Sequence, residues 1–249
     1  MKTLSAFVLA IALVVLACLS HAADTPATAP AKVIKVVLIA ASNEYEAENS
    51  LTILKAYLEK NPSIRCTLIK AGDGGTGVPG LEVLDDCDVL IPFMRRVKLQ
   101  GEQLERFKKY CQSGRAIVGV RTSSHAVQTW LAFDKEVLGG NYSGHFGTGP
   151  KTEVRQAAEL KDHPVLAGVQ EFSSPGSLYK NTGLAKDCQV LQYGQTPGHR
   201  EPVTWAREYK GGRIVYTSLG HPGDFRNDNF LKMMANAVTW TAGKIVNSE

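Results

Sequence analysis

Cysteine is scarce in this chain and never stands at metal-binding spacing. None of the five cysteines forms a C-x-x-C pair, which excludes the common zinc-ribbon and dithiol redox motifs. No H-x-x-x-H pair occurs, so no two histidines stand ready as ligands on one helical face. The glycine-containing stretch AGDGGTGVPG at residues 71–80 has neither the spacing nor the following lysine of a phosphate-binding loop, and reads as a surface turn. Positive charge is also thin. The formal net charge is +4, and the basic residues are scattered apart from Arg95-Arg96 and Lys108-Lys109, so there is no stripe to track a nucleic-acid backbone. No apolar run reaches the roughly 20 residues that a membrane-spanning helix needs, and no internal repeat is evident.

The nearest approach to such a run is residues 4–17. Lys2 precedes it and Ser20-His21-Ala22 follows as a small-x-small cleavage pattern, so residues 1–22 read as a secretory signal peptide. The alternatives are a membrane anchor and, because VLAC at 15–18 loosely resembles a lipidation box, a lipoprotein. Export to the periplasm or outside the cell is expected, with no transmembrane span in the mature protein. Loss of Lys2 lowers the formal charge to +3. Residues 23–32 are dominated by Pro, Ala and Thr and form a flexible lead-in, and a single folded domain is expected over 33–245. An oxidising compartment makes disulfides feasible among Cys66, Cys87, Cys111 and Cys188. Cys87 with Cys111 is the pair expected toward one edge of the sheet.

The folded part alternates strand and helix signals. KVIKVVLIAA (32–41) is a β-branched run suited to a strand buried on both faces. Residues 46–60 place Leu51, Leu54, Tyr57 and Leu58 at helical spacing, and Asn61-Pro62 stops them. Strands follow at 64–70 and 88–93. A helix at 101–113 carries Leu104, Phe107, Tyr110 and Cys111 on one face, and AIVGV (116–120) is a fourth strand. This order predicts an α/β fold, a doubly wound, mostly parallel sheet. The second half is β-rich, with strands at 152–160, 189–195, 202–209 and 213–221, the last two joined at Lys210-Gly211-Gly212. A helix over 227–242 closes the chain. Ligands gather at the carboxyl ends of strands in such sheets. Three segments should therefore converge: Ser42-Asn43-Glu44, Met94-Arg95-Arg96, and VGVRTSSHAVQTW (118–130), which precedes an expected helix.

The ordered set CDVLIPF, LQGEQLERFKKYCQSG, AIVGV with a histidine after it, WLAFDKEVLGGNYSGHFG, DHPVLAGV, PVTWAREYKGGRIVYTSLGH and VTWTAG resembles the ThuA-like (trehalose utilisation) family. The resemblance implies a class I glutamine amidotransferase-like fold and an association with carbohydrate catabolism, particularly disaccharides and their oxidised keto forms. Many relatives follow the glycine-containing strand directly with histidine. Here Gly119-Val120 leads to Arg121 and the histidine arrives at His125. Either Arg121 takes that place, or His125 reaches the same space from one helical turn later.

The junction after this strand offers Thr122 and Ser123 but no cysteine and no G-x-S-x-G, so glutaminase chemistry is not expected. Ser123 or Ser124 reads as a helix cap. The resemblance marks His125, His145 and His221 as site positions, although each taken singly could be a hydrogen-bonding structural histidine. On a keto-sugar, a base removes the proton beside the carbonyl and a cation or metal holds the enolate charge. His125 is the candidate base and Arg121 the candidate oxyanion partner. Glu44 is the candidate second acid or base, or a ligand, although a carboxylate there also suits a helix start. Arg95, Trp130, Tyr142, His145, Tyr179 and His221 are candidate substrate-binding residues, the aromatic faces suiting a pyranose. His125, His145, His221 and Glu44 would together suit zinc, although nothing in their spacing demands a metal. The expected partner is a small carbohydrate and no nucleic acid, with self-association left open. The two readings carried forward are a sugar lyase, hydrolase or isomerase and a non-catalytic carbohydrate-binding or scaffold protein.

Overall fold

The computed structural model describes residues 33–72, 76–147 and 149–243, so the expected leader and lead-in lie outside the described residues. Nine strands form one sheet in the order β2-β1-β3-β4-β9-β8-β7-β5-β6. The parallel half comprises β1 (Ile34–Ala41), β2 (Ile64–Lys70), β3 (Val89–Met94) and β4 (Ala116–Val120), with β9 (Gly212–Thr217) alongside β4. The remaining strands, β5 (Thr152–Gln156), β6 (Phe172–Ser174), β7 (Gln189–Thr196) and β8 (His199–Tyr209), pair antiparallel. This is the doubly wound α/β sheet with a β-rich extension.

Successive residues of one strand serve two cores because side chains alternate across a sheet. In β1, Val36, Leu38 and Ala40 join the core under α1 (Ala47–Leu58) and α3 (Asp228–Ala242). Val37, Ile39 and Ala41 join the opposite core, which packs Phe107, Tyr110 and Cys111 of α2 (Gly101–Gln112). That double duty explains the unbroken apolar run. Each fully buried Leu or Ile contributes roughly 1.5–3 kcal/mol of hydrophobic stabilisation. Among the described residues no helix is long and apolar enough to cross a membrane.

Four local expectations need correction. β4 runs into a 3-10 turn, Arg121–His125, and the helix expected beyond Trp130 is one short π-helical segment, Asp134–Leu138. Ser123 Oγ shares its proton between Val120 O at the end of β4 and Pro92 O on β3 (2.6 and 3.0 Å). The backbone leaving the 3-10 turn is tied to the chain after β3, through Arg96 N to His125 O and Val97 N to Ala126 O (both 2.8 Å). β5 stops at Gln156 and gives way to a 3-10 turn, and β9 stops at Thr217. The three-residue strand β6 carries too short a pattern to be seen beforehand. Finally, the four cysteines of the body are all unbridged: Cys87 Sγ donates to Tyr110 Oη at 3.6 Å instead of bonding Cys111. Burial pushes the thiols of Cys87 and Cys188 up to about 11 and that of Cys66 up to about 12, which keeps them protonated and poorly nucleophilic.

Candidate functional site

At the carboxyl ends of β1, β3 and β4 lies a cavity of about 420 Å³ lined by Glu44, Tyr45, Arg95, Arg96, His125, Tyr142, His145, Ser177 and Tyr179. Strand ends supply Glu44, Arg95 and His125. Tyr45 and Arg96 follow directly on the first two, and Tyr142, His145, Ser177 and Tyr179 arrive on two long loops that run antiparallel. Ser143 N donates to Lys180 O (3.1 Å), Lys180 N to Gly144 O (2.9 Å) and Phe146 N to Leu178 O (2.9 Å). This pairing sets Tyr142 beside Tyr179, with ring centroids 4.6 Å apart.

His125 is the chemical centre. Its ring stacks on Tyr142, centroids 4.7 Å apart and planes 18° from parallel. Nδ1 lies 3.0 Å from Ser124 Oγ, which in turn donates to the Arg121 carbonyl at 3.4 Å. With Ser124 donating onward, Nδ1–H donates to Ser124 and Nε2 carries the lone pair. Burial, and then the charges of Arg95, Arg96 and Arg121, push the imidazole down to about 4, so it is neutral and in its base form at ordinary pH.

Arg121 does not reach this cavity, contrary to its expected role at the rim. It is 1% exposed and has φ +43°. Its Nη1 donates to Ser218 O (2.8 Å) and its Nη2 to Tyr45 Oη and Ser177 Oγ (both 3.2 Å). The guanidinium is sandwiched between the rings of Tyr45 and Tyr179, 4.1 and 4.6 Å from their centroids. It is a buried clamp behind the aromatic wall. Gly220, at φ +129°, permits the close approach of the β9 loop, since a Cβ there would sit 2.8 Å from Val120.

Strain collects here. Five non-glycine residues among those described have positive φ, and four of them, Tyr45, Glu46, Arg96 and Arg121, lie at the strand ends around this cavity. Such conformations cost of order 1–3 kcal/mol each and cluster at functional sites.

The remaining candidates divide. Glu44 and Arg95 form an ion pair on the rim (3.1 Å). His145 is exposed and its ring lies 6.4 Å from that of Tyr179. His221 does not line the cavity. Its ring lies edge-on to that of Tyr45 in the wall, with centroids 6.3 Å apart, and its Nδ1 accepts from Gly223 N at 3.1 Å. Trp130 is elsewhere, 8% exposed and packed on Phe107 and Phe133 in the core beneath α2. The proposed zinc set is not assembled, and no group of three or more His, Cys, Asp or Glu side chains among the described residues could hold a metal ion. The guanidinium groups around His125 would also repel a cation. Tyr45, Arg96 and Ser177 are not among the candidate site residues read from the sequence, although Arg96 stands in a segment expected to converge there. The first two directly follow residues that are, and Ser177 carried no signal.

A buried carboxyl supports the wall. Asp134 Oδ2 accepts from Tyr142 N at 2.9 Å, and burial pushes this acid up to about 6.

The family described as "ThuA: Trehalose utilisation" matches residues 35–241. Among solved structures, a ThuA-like protein from Bacteroides uniformis aligns with TM-score 0.67 at 18% identity, over 90% of this chain and 98% of the other. One from Parabacteroides merdae aligns with TM-score 0.65 at 18% identity, over 88% and 93%. A GMP synthase-like protein from Thermoplasma acidophilum aligns with TM-score 0.53 at 11% identity, over 85% and 95%. At these identities the likeness is one of fold, here the glutamine amidotransferase-like type. Among curated proteins none matches.

Proposed function

Because the chain belongs to the ThuA (trehalose utilisation) family and so has a carbohydrate-related role, we propose that the cavity over His125 binds a glycoside or keto-disaccharide and that His125 transfers its proton. The sugar lies against Tyr142 and Tyr179, whose rings offer apolar area to a pyranose face. His125 Nε2 takes the proton from the carbon beside the keto group, and the bonding pair moves onto the carbonyl oxygen. The Arg95 and Arg96 guanidinium groups hold the resulting enolate charge, the part first expected of Arg121. Elimination or isomerisation follows from that enolate. The observation that carries this reading is a neutral imidazole held against a tyrosine in the wall of a cavity that also holds two arginines. Export, expected from residues 1–22, belongs to the same proposal.

One observation favours a non-catalytic sugar binder instead. An imidazole pushed down to about 4 is a weak base at neutral pH, where catalysis prefers a base titrating near the working pH. Turnover of native and oxidised disaccharides by wild type and His125→Ala separates the two readings. The enzyme reading expects product from wild type, loss of on the order of a hundred-fold or more in the variant, and sugar binding retained in both. Sugars that raise the melting temperature of a wild type unable to turn over any of them would establish the binder.

A further inference from the structure

A larger cavity of about 740 Å³ adjoins the first and shares Arg95 and Arg96 with it. We propose that it is a second saccharide subsite and that the unit it takes carries a carboxylate. This inference rests on the sugar-binding reading of the smaller cavity.

The two cavities differ in chemistry. The smaller is walled by Tyr45, Tyr142 and Tyr179. The described residues around the larger include no aromatic ring and instead bring Ser42, Asn43, Lys70, Arg95, Arg96 and Lys98, with Glu48 as the acid. Two of these cations are already matched, since Arg95 pairs with Glu44 and Lys70 pairs with Glu48. Arg96 and Lys98 have no carboxylate partner among the described residues. Among the described residues, the larger cavity therefore faces two cations without a carboxylate partner, set among hydroxyl and amide groups.

Placement ties the subsites together. Arg96, whose side chain lines both cavities, has φ +50° and donates its backbone N–H to the His125 carbonyl, so its main chain is tied to that of the proposed base. A saccharide ring on Tyr142 and Tyr179 would then extend past Arg96 into the larger space. The planar fork of Arg96 suits a carboxylate. A phosphate dianion is less suited. The helix start nearest this cavity, that of α1, carries Glu46 and Glu48, which oppose a doubly charged ligand. The ligand expected is an acidic saccharide, a neutral ring joined to a uronic or aldonic acid.

The test is calorimetric titration of wild type, Lys98→Ala and Tyr142→Ala with trehalose, galactosyl-gluconate and trehalose 6-phosphate at low and high salt. Lys98 lines only the larger cavity and is exposed, and Tyr142 lines only the smaller. Wild type should bind galactosyl-gluconate on the order of ten-fold tighter than trehalose at low salt, with the margin shrinking as salt rises. Lys98→Ala should remove most of that margin while changing trehalose binding far less, and Tyr142→Ala should weaken both sugars alike. Equal affinity for the acidic and neutral sugars, equal losses on both in Lys98→Ala, or preference for the phosphate ester would overturn the second subsite and leave the first standing. If wild type binds none of the three, nor the oxidised keto form of trehalose titrated alongside them, the reading of the smaller cavity fails and takes the second subsite with it.

Discussion

The imidazole of His125 lies face to face with the ring of Tyr142, centroids 4.7 Å apart and planes 18° from parallel. The contact joins a residue at the end of β4 to one on a distant loop. That loop is fixed by two anchors, the strand-like pairing with residues 178–180 and the Asp134 carboxylate on Tyr142 N.

Two buried groups of this assembly give opposite pH dependences. His125 titrates near 4 in the fold against about 6.5 unfolded, so between those values the unfolded chain binds more protons and stability is lost as pH falls. Asp134 titrates near 6 against about 3.8 unfolded, so the folded chain binds more protons and stability is lost as pH rises through that window. Urea unfolding from pH 4 to 7 should show partial cancellation in wild type. His125→Gln should leave a curve that falls with rising pH, and Asp134→Asn one that falls with declining pH. Parallel curves for both variants would refute the assignment.

Arg121 should behave as a structural clamp. Arg121→Ala strands Ser218 O, Tyr45 Oη and Ser177 Oγ and opens a void between two rings, so a loss of about 3–5 kcal/mol is expected by denaturant unfolding. A variant that kept its stability and lost only activity would return Arg121 to the chemistry.

Much of the scaffold was legible because its physics is local. The run through β1 announced a strand with two buried faces, and the spacing of Leu51, Leu54 and Leu58 announced α1. Strand-end logic put Glu44, Arg95 and His125 in one neighbourhood, where the structure has them. Arg121 and Trp130 were misplaced for a different reason. At the β4 junction, one left-handed residue and one 3-10 turn decide which side chains face solvent, and no periodicity encodes that choice. Tyr142 and Tyr179 were named from their residue type, but their meeting depends on loop pairing across more than thirty residues, which sequence spacing does not reveal.

Trp130 gives a clean control. Trp130→Ala should cost about 3–5 kcal/mol through the emptied core beside Phe107 and Phe133. The folded fraction should bind sugar with unchanged affinity in the same titration. A selective loss of affinity without loss of stability would place this ring at the ligand after all.

Thiol counting checks the cysteine assignment. Denatured, unreduced protein should present four reactive thiols from residues 33–243, and native protein should react slowly because Cys87 and Cys111 are buried. A count of two would reinstate a disulfide.

The most direct test of the central claim is nitrogen-detected NMR of the His125 ring, titrated with and without a bound disaccharide. A neutral imidazole with an unprotonated Nε2 down to about pH 5, whose resonances shift when sugar is added, is the expected result. A ring that titrates near 6.5 and ignores every sugar would contradict the account.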